Sequence, residues 1–305
     1  MIRRILTVLL LLSTALQLPA QQRPAGQVEL FCGADLNYAD VNFMRLYDVL
    51  VYLTPGVKWH PGNDWTLGVQ TAIPFINNGY RDYMADANRY KMIRLSQATV
   101  AKELHFDQLR QHIKLTAGLF SRERWGADLR WLMPVNQWLL VQAQGGLTRH
   151  WALGCDWHGG SESVFDGRWL ATGTMGANIF LTPWNTEFRL SGGRYINEDW
   201  GAEFDVMRHF RHCTVLLYGQ LHERSNNATR NRTAGGFKVI MMLPPYKKYD
   251  QETVVFRPAS NFRLTYNAQS DANAMKMYTT DAEENERELP VRVAWGTGAA
   301  DGLNK

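Results

Sequence analysis

The stretch Trp65-Thr66-Leu67-Gly68-Val69-Gln70-Thr71-Ala72-Ile73 decides the fold class, because its character changes at every residue. Large apolar side chains dominate the odd positions, and small or polar residues fill the even ones. Successive side chains of a β-strand point to opposite faces of the sheet, so this period of two predicts a strand with one apolar and one polar face.

The same period recurs along most of the chain, with no convincing amphipathic helix between the repeats. The segment at 90–106 alternates poorly around Ser96–Thr99, which predicts a β-bulge there. An all-β fold follows. We predict about twelve strands, at residues 28–38, 46–60, 64–74, 90–106, 110–121, 124–133, 137–152, 167–182, 185–196, 199–211, 213–223 and 234–243.

The connections between these strands favour a membrane barrel over a soluble sandwich. Links such as His60–Asn63 and Met133–Asn136 are tight, whereas those at 75–89, 154–167 and 223–233 are long. Short turns at one end and long loops at the other are typical of a single antiparallel transmembrane outer-membrane β-barrel, with the turns periplasmic and the loops extracellular. An even number of strands would return both chain ends to the periplasmic side.

The composition agrees with strands rather than helices in the membrane. The mean hydropathy is −0.32, and no run of about 20 apolar residues follows residue 20. The net charge of +4 is too balanced to indicate nucleic acid. Aromatic belts at the two strand ends would fit a barrel, while core anchors of a sandwich are the alternative. The tryptophans at the predicted strand ends are Trp59, Trp65, Trp125, Trp131, Trp138, Trp151, Trp169, Trp184 and Trp200.

The domain organisation has three parts. Residues 1–20, with Arg3 and Arg4 before an aliphatic run, are predicted to be a secretory signal peptide, which directs the chain towards the bacterial outer membrane. Residues 21–266 are predicted to form the barrel, including a further candidate strand at 253–266. Residues 267–305 are predicted to be a polar periplasmic tail of low order, acidic at 281–288. Three cysteines at unrelated spacings make no disulfide framework.

A resemblance to a known family is carried by the last third of the chain. The stretch GGRYINEDWGAEFDVMRHF, residues 192–210, resembles the G-R-Y-L-x-x-D-x-G…R-x-F pattern of YjbH-like exopolysaccharide and capsule biosynthesis outer-membrane proteins. Gly235-Gly236-Phe237 and Phe256-Arg257-Pro258 continue the likeness, which covers about residues 185–266. The chain departs from the family in lacking a lipoprotein cysteine and the great length of some members.

The resemblance implies export or surface presentation of a polysaccharide in company with other periplasmic or outer-membrane secretion components. The residues that match the family pattern are Asp199, Gly201 and Arg208. For these we favour a structural interpretation, namely a tight extracellular turn and a charge at the membrane interface. The partners expected are outer-membrane lipid, secretion components and a polysaccharide. No nucleic acid, cofactor, metal or enzymatic activity is expected.

The polar face of the strands supplies candidate lumen residues. Amides and mixed charges there could bind sugar hydroxyls weakly as a polymer slides past. The alternative is structural, because enclosed charges need partners and could simply pair and fill a narrow barrel. The candidates are Gln70, Lys114, Asp128, Arg130, Gln142, Gln144, Glu187, Arg189, Glu203, Asp205 and His209.

Two other functions remain open. One is a structural barrel of a protein secretion machine, in which the tail at 267–305 docks a periplasmic partner. The other is a lipid-acting outer-membrane hydrolase, which would need a nucleophile, a base and a carboxylate at one rim. His158, Ser161, Glu162 and Ser163 supply these groups in one predicted loop, without the strand–turn–helix context of a nucleophile elbow.

Overall fold

Strands dominate the computed structural model, which describes residues 25–39, 48–78, 87–223, 233–244, 253–267 and 277–286. The predicted signal peptide lies outside the described residues. Short 3₁₀ turns occur at Ala87–Lys91, Asp107–Leu109 and Thr182–Trp184. The strands are β1 (Gln27–Cys32), β2 (Ala34–Ala39), β3 (Asp48–Leu53), β4 (Gly56–Gly62), β5 (Trp65–Asn78), β6 (Ile93–Phe106), β7 (Gln111–Phe120), β8 (Arg124–Pro134), β9 (Leu139–Cys155), β10 (Ser161–Leu181), β11 (Thr186–Arg194), β12 (Trp200–His209), β13 (Cys213–His222), β14 (Thr233–Met242), β15 (Val254–Pro258) and β16 (Asn261–Asn267).

These segments build a closed barrel of 13 strands, which confirms the predicted all-β barrel. Three of the barrel strands consist of two segments in line, namely β1 with β2, β3 with β4, and β15 with β16. Neighbours pair antiparallel around the ring, except where it closes. There β1 pairs with β15 and β2 pairs with β16, both in parallel. We call this junction the seam.

The parallel seam follows from the odd number of strands. The candidate strand at 253–266 is the thirteenth, added to the twelve predicted from alternation. An odd number makes the first and last strands run in the same direction, so antiparallel closure is impossible. The expectation that the barrel strands begin and end at the same side is therefore wrong.

The pairing of the strands confirms the predicted bulge in 90–106 and shows that the predicted long loop at 154–167 is wrong. Gln70 pairs with Gln97 but Thr71 pairs with Leu95, which leaves Ser96 as the extra residue of β6. The segment 154–167 is not a long loop, because β9 and β10 continue as a hairpin that turns at 156–160. We call this end of the barrel the loop end, and the opposite end, with the connections at 107–110, 135–138 and 210–212, the turn end.

The two faces of the strands differ as the alternation predicts. In β5, Trp65 and Val69 are 43% and 47% exposed, whereas Gln70 and Ala72 are buried. Large apolar side chains cover the outer surface around the ring. Within the described residues, no helix is long and apolar enough to cross a membrane. The exposed apolar residues include Val57, Val100, Leu115, Leu129, Leu147, Met175, Ile179, Leu190, Phe204, Leu217 and Met241.

Most tryptophans near strand ends lie on the outside, with one exception. Trp59, Trp138, Trp184 and Trp200 are exposed. Trp151, which we expected in an outer aromatic belt, is instead fully buried in the barrel interior. Its indole N–H donates to the carbonyl oxygens of Phe120 and Arg124 at 3.3 and 2.9 Å. The indole nitrogen of Trp151 thus has hydrogen-bond partners in the interior, which an apolar environment would not provide.

Candidate functional site

The lumen of the barrel is lined by basic side chains from widely separated strands. Because side chains alternate along each strand, the residues that face the lumen recur at every second position. Enclosed charges of this kind are costly unless an opposite charge lies close. The inward basic residues that contact residues 277–286 are Lys58 on β4, Lys114 on β7, Arg130 on β8, Lys238 on β14, Arg257 on β15 and Arg263 on β16.

The opposite charges come from residues 277–286, which lie inside the barrel and which we call the plug. The predicted tail of low order at 267–305 is therefore wrong for this part of the chain. Burial of Tyr278, Ala282 and Glu283 inside the ring shows the enclosure directly. The acidic run noted in the sequence thus complements the basic wall. The ion pairs between plug and wall are Asp281 with Lys114, Glu283 with Lys58 and Arg257, Glu284 with Arg130, and Glu286 with Lys238.

Glu283 is the most completely bound of these carboxylates. It accepts hydrogen bonds from both terminal nitrogens of Arg257 at 2.7 and 2.8 Å, and from the backbone N–H of Ser260 at 2.7 Å. Lys58 Nζ lies 3.0 Å away. Burial by itself raises the pKa of Glu283, but the charge of Lys58 and the bonds from Arg257 outweigh it and lower the pKa to about 2.

The pKa values of Glu286 and Asp281 are lowered for the same electrostatic reason. Burial opposes ionisation of Glu286, yet the charge and hydrogen bond of Lys238 lower its pKa to about 2. The pKa of Asp281 is also lowered, because Lys114 outweighs burial. Since Asp281, Glu283 and Glu286 are stabilised in their charged forms, the plug is held as an anion by the basic residues around it.

Aromatic and backbone contacts fix the other half of the plug near the loop end. The hydroxyl of Tyr278 donates to Asp128 at 2.9 Å, and its ring stacks on Phe120 with centroids 5.2 Å apart. Thr279 exchanges backbone and side-chain hydrogen bonds with Ser121. Burial and the Asp128 charge raise the pKa of Tyr278, so it stays a neutral donor.

Among the described residues, two cavities are lined by side chains of both the plug and the wall. The larger, about 470 Å³, is lined by tyrosines, amides and charged groups that include Tyr52, Tyr90, Asn37, Gln97 and Arg94. The smaller, about 230 Å³, is lined by residues that include Gln142, Gln144 and Arg189. Both are bounded by plug residues. The larger volume lies within the range of small-molecule binding pockets.

The structure turns all eleven candidate lumen residues to the interior, and the contacts of most of them run between neighbouring strands. Asp128 accepts from Gln144 at 3.0 Å and lies 4.0 Å from Arg130. Gln142 donates to Asn178 at 2.9 Å. Lys114 and Arg130 bind the plug, and Gln70 lines the larger cavity. The remaining contacts are Glu187 with His209, Arg189 with Asp205 and Glu203, and Glu203 with Gln220.

Sequence reasoning missed the wall residues that hold the plug, chiefly Lys58, Lys238, Arg257 and Arg263. The signal was present as an acidic run at 281–288 in a chain whose predicted lumen carried basic residues. The sequence alone favours a solvated tail at these positions, because a run of like charges is more often exposed than enclosed.

The family-pattern residues occupy structural positions at the two ends. Asp199 closes a turn at the loop end, where its carbonyl oxygen accepts from the N–H of Tyr195 at 3.0 Å. A Cβ at Gly201 would lie 2.5 Å from His222 Nδ1 and 2.6 Å from the Leu221 carbonyl oxygen, so only glycine fits. Arg208 is exposed on the outside near the turn end and donates to Thr186 at 3.0 Å.

The groups considered for hydrolysis have other roles. Glu162 accepts from Arg89 at 2.6 Å, and Ser161 and Ser163 lie on β10. The backbone N–H of His158 donates to Asp156 within the hairpin turn at 2.8 Å. The pKa of Asp156 is lowered by its bonds from the backbone N–H groups of Gly160 and His158. Cys32, Cys155 and Cys213 are free thiols.

Fold and site together define a closed β-barrel plugged by its own C-terminal region. No protein-family model, curated protein or solved structure matches the chain. The resemblance over residues 185–266 therefore stays a prediction.

Proposed function

We propose that the chain is a non-enzymatic barrel of the bacterial outer membrane that takes part in export or surface presentation of an exopolysaccharide. In this proposal the plug is a gate that closes the lumen between transit events. The observation that carries it is the set of ion pairs between the anionic plug and the cationic wall. Such pairs seal a polar lumen, yet they can be exchanged for contacts with another polar ligand.

The outer wall supports a place in a bilayer. Exposed Leu, Val, Phe and Met side chains surround the ring, and tryptophans such as Trp138 and Trp200 lie near opposite ends. Contiguous apolar surface of this extent is a liability in water and is favourable in lipid. Closure of the sheet leaves no edge strand with unpaired backbone groups, and a sheet exposed to lipid must have no such edge.

The larger cavity supports a carbohydrate ligand. Tyr52 and Tyr90 offer rings for contact with sugar faces, while Asn37 and Gln97 offer amide donors and acceptors for hydroxyls. A neutral polysaccharide would use the amides, and an acidic one would also meet the wall cations once the plug left. The resemblance to YjbH-like proteins over residues 185–266 points to the same class of ligand.

The two alternatives have less support. A barrel whose tail docks a secretion partner would need that tail to be available, whereas Tyr278 and Glu283 are buried in the lumen. A hydrolase would need its carboxylate directed to a base, whereas Glu162 is bound to Arg89.

The deciding experiment is deletion of the gene in the bacterium that encodes it, followed by measurement of the amount and chain length of surface polysaccharide. We expect one of the two to change, and complementation with the intact chain to restore it. A complementing variant without residues 277–286 should alter chain length or leakage of polymer. Unchanged polysaccharide in the deletion strain, with the protein confirmed in wild-type outer membranes, would refute the proposal.

A further inference from the structure

Within the described residues, three histidine–glutamate pairs with the same arrangement lie at the turn end, on the inner face of the barrel. In each, a histidine Nε2 lies 3.1 to 3.2 Å from a glutamate carboxylate on the preceding barrel strand. Each glutamate is diagonal to its histidine across the ladder, as the registers of β1 with β4, β6 with β7 and β11 with β12 show. The pairs are Glu29–His60, Glu103–His112 and Glu187–His209.

Two of the pairs are completed by a threonine on the following strand. Thr66 lies 3.1 Å from Nδ1 of His60, and Thr214 lies 3.1 Å from Nδ1 of His209. Both ring nitrogens of these histidines therefore have protein partners. An imidazole fixed in this way is a structural element that links three adjacent strands.

The third pair, Glu103–His112, differs from the other two at the positions beside His112 on both neighbouring strands. On the following strand, the register partner of His112 is Leu132, which offers no hydroxyl, and His112 Nδ1 is buried without a hydrogen bond. On the preceding strand, the register partner of His112 is His105. The two rings lie with centroids 4.6 Å apart. His105 thus occupies the position beside His112 that Gln27 occupies beside His60.

The resulting group is two imidazoles and one carboxylate whose ligand atoms all lie within 4.8 Å of one another. In tetrahedral zinc sites with bonds of about 2.0–2.1 Å, neighbouring ligand atoms are about 3.3 Å apart. The 3.2 Å between His112 Nε2 and Glu103 Oε2 already meets that spacing. Lys114 lies 3.8 Å from the other carboxylate oxygen, Oε1, and leaves Oε2 directed to the histidine.

We propose that Glu103, His105 and His112 form a binding site for a divalent transition-metal ion, with zinc as the fitting species. Three protein ligands leave one position for water or another ligand. His112 is buried and His105 is exposed, so an ion can enter from the turn end. This site was missed in the sequence because its members straddle the 3₁₀ turn at Asp107–Leu109 and only the ladder brings them together.

The test uses the full chain in detergent, in a Cys32→Ser, Cys155→Ser, Cys213→Ser background that removes thiolate ligands. Zinc bound per chain is measured by equilibrium dialysis, and cobalt(II) absorption reports the ligand type and geometry. We expect one ion per chain, with a tetrahedral cobalt spectrum from nitrogen and oxygen ligands. His105→Gln should weaken binding by more than about tenfold. The matched control, His158→Gln, alters an exposed histidine at the loop end and should bind like the parent.

Glu103→Gln gives a second variant, and heat-modifiable gel mobility confirms that each variant forms the barrel. A folded His105→Gln or Glu103→Gln variant that binds zinc as tightly as the parent overturns the proposal. So does a folded parent that takes up less than one ion per chain at saturating zinc.

Discussion

Release of the plug can be tested by neutralising its best-held carboxylate. Glu283 is bound by Arg257, Lys58 and the Ser260 N–H, and its pKa falls from the ordinary 4.5 to about 2. That shift corresponds to about 3 kcal/mol by which the docked state favours the charged form. The side chain is only 3% exposed, so solvent screens little of it. Glu283→Gln should therefore raise the released population on the order of a hundredfold.

The assay is the accessibility of a cysteine placed in the plug. Thr280 is fully buried, and its hydroxyl makes no hydrogen bond, so Thr280→Cys in the cysteine-free background should preserve docking. Labelling by a water-soluble maleimide at neutral pH then measures how often the plug leaves the lumen. We expect slow labelling in the parent and faster labelling with Glu283→Gln, by a factor approaching the change in released population.

The control is Glu198→Gln, which removes a carboxylate bound to Arg168 and Arg194 at the loop end, away from the plug. Its labelling rate should equal that of the parent. An unchanged rate in Glu283→Gln would refute the electrostatic account of docking. Equally fast labelling in the folded parent would show that the plug is not held at all.

Three further outcomes are expected. Glu283 and Glu286 have a lowered pKa in the docked state, so docking is stabilised above about pH 4.5 and is lost as the pH falls towards 2. Pepsin cleavage within 277–286 should therefore rise steeply as the pH falls through that interval, and it should not rise above it. Gly201→Ala should reduce the refolding yield sharply, whereas Gly219→Ala, where a Cβ meets nothing within 4 Å, should refold like the parent. Cysteines replacing the seam register partners Leu36 and Leu264 should form a disulfide on oxidation, and the absence of that cross-link in refolded protein would contradict parallel closure.

The fold was largely predictable from the sequence because alternation is a local property. The apolar face of 65–73 and the bulge near Ser96 both follow from side chains that must point to opposite faces of one strand. The closure was not predictable in this way. It depends on whether β15 and β16 join the ring, and alternation around the break at Ala259 and Ser260 is interrupted.

The site was predictable in part, for a related reason. The alternation of side chains along a strand places Lys114 and Asp128 on the inner face, but it does not identify the groups that they contact across the lumen. The plug carries no period of two, since residues 277–286 form no strand. Its position is set by charge complementarity with Lys58, Arg130 and Lys238, which belong to strands far apart in sequence. Such pairing becomes visible only when the ring is closed.

The seam and the plug are physically linked. Three barrel strands break side by side there: Gly33 exchanges backbone hydrogen bonds with Thr54, and the N–H of Ala259 donates to the Cys32 carbonyl oxygen. A Cβ at Gly33 would clash with Ala259, so the breaks need close backbone approach.

A broken ladder leaves backbone donors that the neighbouring strand does not use, and one of them, the Ser260 N–H, binds Glu283. Arg257, just before the break, binds Glu283 on the plug and Glu29 on the first strand at once. Arg263, just after it, binds Asp35 on the same first strand and the Glu284 carbonyl oxygen on the plug. Two of the residues that dock the plug, Arg257 and Arg263, thus also tie the last strand to the first. Loss of the plug should therefore loosen the one parallel junction of the barrel before any antiparallel one.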